Sequence, residues 1–599
     1  MSNSLVDEAY VDAYDRRREI APDVRAAVAA AMGPEAAERD AVAVARPGSR
    51  IPGAGSVTLE DGSNLGRIDV LPADAPFGYH RLHRDDGVEQ LLITGPGSCH
   101  RSPGLRTWGW AIQLAATRSG NSWGIGDLAD LRRLGASSAD VGAGFLAVGP
   151  LGAPNAGPVP EPSPYYPSTR RFGSPLYLCV EEIPGAEVLG GELADVGRAL
   201  NGWRAIDRAR VAERKMDALE RIWAAAPDRS AFDAWRPERG IALERWATFV
   251  VLTERFGAGW QRWPEPFRNP ASSAVRRFAV DAADRVAFHA WVQWCFDRQL
   301  AAASASLMRI ADMPVGVDPG GFDAWDWQVQ LAMGASIGAP PDRFNAAGQD
   351  WGLPPFIPHR LREAAYRPFI ETIQAQLRHA GGLRIDHVLG LFRLWWIPSG
   401  HDPTRGAYVR SRTDELLEIV ALESHRAAAI VVGEDLGTVP AGVRRELRRR
   451  RLLSTRLALF ERVPPARYPA QSFAGVTTHD LPTVAGTWTG SDLEDQASSG
   501  VTPDPDALAL LRSRLARAAS VDVDVSLDEV VVPLHERVAA SPSALVAATL
   551  EDALGVEERP NMPGTVAPAR QNWSLALPVP IEALGEHEHV RAVVEALRR

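Results

Sequence analysis

GGLRIDHV (381–388) is a short apolar run that starts on paired glycines and closes on the carboxylate of Asp386. Two later stretches have the same build: AAIVVGEDLG (428–437) reaches Glu434, and AGVTTHD (474–480) reaches Asp480. Further apolar runs are WGWAIQLAA (108–116), GFLAVGP (144–150), MPVGVD (313–318), STRLALFE (454–461) and ALVAATL (544–550). Continuous apolar runs separated by helical stretches are the pattern of parallel strands buried on both faces. About eight of them suit an α/β chain folded as a (β/α)8 barrel. Their spacing is uneven, so large insertions are expected in the βα loops. Residues 185–305 read as such an insertion, mostly amphipathic helix and rich in Trp.

The three acids are separated by 434 − 386 = 48 and 480 − 434 = 46 residues, long for one βα unit but comfortable for one or two. In a barrel the C-terminal ends of all strands open onto one mouth, so acids far apart in sequence can converge there. Each has a structural alternative. Asp386 can pair with Arg384, Glu434 and Asp435 can be first-turn helix acids, and Asp480 can be an N-cap. Converging carboxylates suggest glycoside chemistry. A retaining mechanism needs a carboxylate nucleophile and a carboxylic acid about 5–5.5 Å away. Arg384, two residues before Asp386 on one strand, points to the same side and supplies a counter-charge.

Working outward, 599 residues fit one large barrel with insertions plus a smaller domain. Residues 1–104 read as an N-terminal extension. It is helical over 5–33, then β-rich, with a hairpin turning at Asp86-Gly87. Residues 105–599 form the barrel. A net charge of −10 weighs against a nucleic-acid partner. No apolar run is long enough to cross a membrane, and the opening MSNSLVDEAYVDAYDRRREI lacks a signal-peptide core. Cys99, Cys179 and Cys295 are too widely spaced for a disulfide framework or a zinc site, and they fit buried apolar positions in a reducing cytoplasm. Lys215 is the sequence's one lysine, and no GxxxxGK[ST] surrounds it. P-loop and Schiff-base chemistry are thereby disfavoured. HExxH and GxSxG are also missing, which leaves carboxylates as catalytic groups. The run His587-Glu588-His589 fits a solvated surface.

These residues resemble the amylomaltases, the 4-α-glucanotransferases of glycoside hydrolase family 77 in the broader α-amylase clan. The resemblance spans roughly residues 105–599. It rests on SWGIGDLADL (122–131), SPYYPSTRRFGSPLYL (163–178), MPVGVDPGGFDAWDW (313–327), GAPPDRFNAAGQDWGLPP (338–355), GGLRIDHVLGLFRLWWIP (381–398), GEDLGTVP (433–440), THDLPT (478–483), NMPGT (561–565) and NW (572–573), all in order. The first hundred residues look like the extension of longer bacterial members.

The resemblance implies Asp386 as nucleophile, Glu434 as general acid/base, and Asp480 as the third acid, which binds sugar hydroxyls. Arg384 would orient the nucleophile, and His479 and Asp312 would contact the same sugar. Residues 338–355 would form a lid over bound glucan, with Asp342, Asn345, Gln349 and Trp351 as sugar contacts. Ser163, Tyr165 and Asn561 would line the donor side. The sequence departs from the family at Tyr166, where SPYQ is usual, and in ADMP, which lacks the clan histidine of that region. The implied partners are malto-oligosaccharides, amylose or glycogen-derived glucans, with no nucleic acid, membrane, cofactor or metal; no DxDxDG loop points to calcium. Two rivals remain: a hydrolytic enzyme of the same clan, and a glucan-binding protein without activity.

Overall fold

A computed structural model describes residues 5–34, 41–225, 228–342, 347–565 and 567–599. The apolar runs become eight short strands: β1 (Thr107–Ile112), β2 (Phe145–Val148), β3 (Met308–Met313), β4 (Gly382–Ile385), β5 (Ile430–Gly433), β6 (Leu453–Leu457), β7 (Ser472–Gly475) and β8 (Leu545–Thr549). They close into a barrel in the order β3-β4-β5-β6-β7-β8-β1-β2. Its strands pair in parallel, with Gly382 opposite Ile430 and Val546 opposite Trp108. Most residues of these strands are buried, which is why they read as continuous apolar runs instead of alternating ones.

Two compact units divide the chain. One comprises Met1–Pro103, Met313–Pro319 and Asp323–Ser454, the other Gly104–Asp312, Gly320–Phe322 and Thr455–Arg599. The first unit holds β4, β5, a mixed five-stranded sheet and an antiparallel four-stranded sheet. A five-stranded sheet occupies residues 42–94, with the hairpin between Gly78–Arg84 and Glu89–Thr94. A four-stranded sheet is built from Ala335–Ala339, Gln349–Leu353, Arg393–Pro398 and Ala407–Arg410. Gly338 lets two of its strands approach closely, since a Cβ there would lie 1.9 Å from the Gln349 carbonyl oxygen.

The N-terminal segment belongs with this unit because its apolar residues are buried there. Val6, Ile20, Val24, Val28 and Met32 join Ala335, Ile357, Trp396 and Val409 in one cluster. Helix is confined to Pro22–Met32; Ala9–Val11 and Arg17–Glu19 form a two-stranded ribbon where helix was expected over 5–33. Tyr10 explains the preference, because its ring packs edge-on to both Trp395 (5.0 Å) and Tyr408 (5.8 Å), a tertiary gain that overrides local propensity. Farther along, the Gly97 N–H donates to buried Glu418 at 2.7 Å, and Arg450 pairs with the same carboxylate while donating to the Gly97 carbonyl.

The second unit carries β1, β2, β7, β8 and the helical insertion, whose principal helices include Arg208–Ala224, Gly240–Phe256 and Ala283–Ala303. Lys215 is fully buried on the first of these, donating to the carbonyls of Leu176 (2.7 Å) and Leu178 (2.8 Å). Its amine ties the helix to the neighbouring loop. The third strand also differs from expectation. It is MRIADM at 308–313, so MPVGVD begins where the strand ends, and Asp312 is its penultimate residue. Arg309 and Asp312 interrupt that strand's apolar pattern, which hid it. Among the described residues no helix is long and apolar enough to cross a membrane.

The Glu418–Arg450 pair yields a stability prediction. Both side chains are almost wholly buried, at 1% and 3% exposure, so Arg450→Met strands a buried carboxylate at a cost of about 3–5 kcal/mol. Scanning calorimetry should show a clear fall in melting temperature; an unchanged transition would refute the anchoring role of this pair.

Candidate active site

Asp386 is the first residue past β4 and Glu434 the first past β5. The parallel register, Ile385 opposite Gly433, extends beyond the strands: the Glu434 N–H donates to the Ile385 carbonyl at 3.0 Å, and the Val388 N–H to the Glu434 carbonyl at 3.0 Å. The Glu434 carboxyl then turns back over the residue after Asp386. It accepts the His387 N–H at 3.0 Å and the Leu436 N–H at 2.6 Å. Burial pushes its pKa above the usual range, while Arg384 and these two N–H groups pull the other way without cancelling the rise. Arg384 lies 3.0 Å from Asp386. Adjacent Asp435 is fully buried and paired with Arg444 at 2.7 Å, so it braces the loop.

His387 was not singled out in the sequence. It stands in the left-handed region at φ 44°, and burial drives its pKa down to about 4, so the ring is neutral near pH 7. Its ring meets Trp351 edge-on at 5.2 Å. Trp351 in turn donates through Nε1 to Gln349 Oε1 at 3.1 Å, so two expected lid residues form one contact on strand Gln349–Leu353. Asp342 is partly buried just before the undescribed stretch. Asn345 lies outside the described residues.

In the second unit the remaining acids belong to a polar and aromatic cluster. Asp480 stands five residues beyond β7 and accepts Asn561 Nδ2 at 2.7 Å. His479 Nε2 is 3.3 Å from the same carboxylate, and its Nδ1 is 3.3 Å from Gln113 Nε2. The His479 carbonyl receives the Asn561 N–H at 3.1 Å. Tyr165 stacks on His479 at 4.9 Å and 28°, and its hydroxyl donates to Asp312 Oδ2 at 2.6 Å. Ser163 accepts the Tyr165 N–H through Oγ at 3.3 Å, which shapes the loop presenting that ring.

Trp573 completes the cluster, 5.1 Å from His479 and 5.5 Å from Tyr165. It holds φ 62°, unusual for a bulky residue. Its backbone is fixed by its own N–H on the Pro560 carbonyl (2.8 Å) and by Arg208 on its carbonyl. Nothing local in NW announced that geometry. Glu551, just past β8, is the other unexpected group: burial raises its pKa to about 7. Among the described residues no group of three or more His, Cys, Asp and Glu is placed to hold a metal ion.

A closed parallel barrel with carboxylates just beyond its strands is the arrangement of a barrel enzyme, and paired carboxylates suit glycoside chemistry. The family profile for glycoside hydrolase family 77, described as 4-alpha-glucanotransferase, matches residues 112–580. The 4-alpha-glucanotransferase of Mycobacterium tuberculosis is 40% identical, over 90% of this chain and 82% of its own. That of Haemophilus influenzae is 30% identical, over 88% and 84%. The amylomaltase of Corynebacterium glutamicum superposes with a TM-score of 0.88 at 30% identity, covering 99% of this chain and 98% of its own. The chain belongs to glycoside hydrolase family 77, and its activity is that of a 4-alpha-glucanotransferase.

Tyr165→Phe removes one hydroxyl and little volume. The variant is expected to lose about ten-fold or more in kcat/KM on maltotriose, the usual cost of deleting a hydrogen bond to an acid, with an unchanged melting temperature. Full activity would mean that the Tyr165–Asp312 bond is not used in turnover.

Proposed function

We propose that the enzyme transfers α-1,4-glucan segments by retaining double displacement. Asp386 attacks the anomeric carbon while Glu434 protonates the departing glycosidic oxygen, leaving a covalent glycosyl-aspartate. Glu434 then takes the proton from the 4-hydroxyl of an acceptor glucan or glucose, which displaces Asp386 with a second inversion. The observation that carries this reading is the hydrogen bond from the His387 N–H, next to Asp386, to the Glu434 carboxyl. Neighbouring parallel strands thereby present the two groups together, one beside the Arg384 guanidinium and the other shifted by burial toward its protonated form.

Asp480, held by Asn561, binds sugar hydroxyls and favours ring distortion; His479 and Asp312 contact the same sugar. Ser163, Tyr165 and Asn561 line the donor side. We assign residues 338–355 as a lid, with Asp342, Asn345, Gln349 and Trp351 touching glucan. Such a cover favours an acceptor hydroxyl over water. In this arrangement residues 1–104 extend a barrel of 105–599 that carries the helical insertion of 185–305. The substrates are malto-oligosaccharides, amylose and glycogen-derived glucans. A Streptococcus agalactiae amylomaltase solved with acarbose shares the fold at 18% identity and a TM-score of 0.68. We place the enzyme in the cytoplasm, in maltose or glycogen metabolism, a compartment that suits its free cysteines.

Incubation with maltotriose should yield glucose and longer oligosaccharides with constant reducing ends. Asp386→Asn should abolish this, and Glu434→Gln should lower kcat by about 10²–10⁴-fold. Steadily rising reducing ends without longer products would identify a hydrolase. Because the Glu434 pKa is raised, its acid form persists to higher pH than an ordinary glutamate, and activity should fall as pH rises past it. A basic limb retained in Glu434→Gln would assign that ionisation to another group.

A further inference from the structure

Gln113 is the first residue past β1, and its amide touches His479, 366 residues away, with Nε2 3.3 Å from Nδ1. An amide nitrogen carries only donors, so the ring nitrogen it meets must offer a lone pair. The imidazole proton then resides on Nε2, the nitrogen 3.3 Å from Asp480 Oδ2. The amide is packed closely against Gly149. Gly149, past the end of β2, leaves room for the oxygen end, where a Cβ would fall 2.4 Å from Gln113 Oε1. The ring itself is clamped by Tyr165 and Trp573.

We propose that Gln113 is a positioning residue for His479, donating to Nδ1 so that the ring stays neutral with its proton on Nε2, the nitrogen 3.3 Å from Asp480 Oδ2. Asp480 acts on Nε2, and Asn561 donates its N–H to the His479 carbonyl. Tyr165 stacks and sends its hydroxyl to Asp312. Glu551 acts electrostatically, and its charge works against a neutral ring. Arg208 is directed to the backbone of Trp573 and to Ser574. A cationic His479 would demand an acceptor at Nδ1, and so a Gln113 amide turned to offer Oε1 in place of Nε2. The proposal rests on the reading of His479 as a sugar-binding group.

The test measures kcat and KM on maltotriose across about pH 5–8, where a histidine changes charge, for Gln113→Leu, Gln113→Glu, Gly149→Ala and His479→Asn, and for both Gln113 changes combined with His479→Asn. Gln113→Leu should lose about three- to ten-fold in kcat/KM, the worth of one hydrogen bond, and Gly149→Ala should reproduce that loss. Gln113→Glu keeps the shape but accepts from Nδ1, so it favours the imidazolium and should move the acid limb to higher pH. In the His479→Asn background neither Gln113 change should have further effect. Undiminished losses in that background, or a Gln113→Glu profile superposing on wild type, would overturn the positioning role. Wild-type activity in His479→Asn alone would instead remove the sugar-binding reading on which the proposal stands.

Discussion

The parallel ladder between β4 and β5 is the constraint that sets Asp386 and Glu434 side by side. Its register sets Ile385 opposite Gly433, so the next residue on each strand is an acid, Asp386 and Glu434. Parallel strands expose those residues at the same end, and the ladder continues through the Glu434 N–H to the Ile385 carbonyl. Backbone hydrogen bonds thereby fix the placement of the acids more stiffly than flexible side chains could. Gly433 belongs to the same device, since a Cβ there would meet Val388 at 3.0 Å. The environments of the two acids then diverge: one faces a guanidinium at 3.0 Å, the other is buried beneath backbone donors. Two carboxyl groups given different surroundings can take different protonation states at one pH.

The second unit uses another strategy. Asp480, Asn561, His479, Gln113, Tyr165 and Asp312 are joined through polar contacts and the Tyr165–His479 stack, with Trp573 closing the aromatic side. Members come from the ends of several strands and from loops, so no one element sets the geometry. Networks of this kind are rigid when every group finds a partner and costly when one does not. Trp573 at φ 62° fits that logic, because an uncommon backbone conformation persists only where its surroundings over-determine it.

Charge burial recurs away from the acids. Lys215 is enclosed with its amine on two carbonyls, and Glu418 with Arg450 secures the Gly97 turn. Each is a long-range tie made by a group that is expensive to bury alone. These ties join the insertion helix and the N-terminal segment to structure distant in sequence, which hydrophobic patterning by itself does not specify.

The sequence alone determined the barrel and its two adjacent acids, because apolar runs buried on both faces are continuous and a carboxylate directly after one is visible at sight. Asp386, Glu434 and the hairpin at Asp86-Gly87 were legible for that local reason. The third strand was not, since Arg309 and Asp312 break its pattern, and the ribbon at 9–19 was not, since Tyr10 finds its rings near residues 395 and 408. Only the tertiary structure decided the placement of Trp573, His387 and Gln113. A left-handed backbone, a partly buried neutral imidazole and an amide meeting a ring across 366 residues are properties of packing. They depend on which distant groups exclude water and supply partners, and residue spacing carries no record of that.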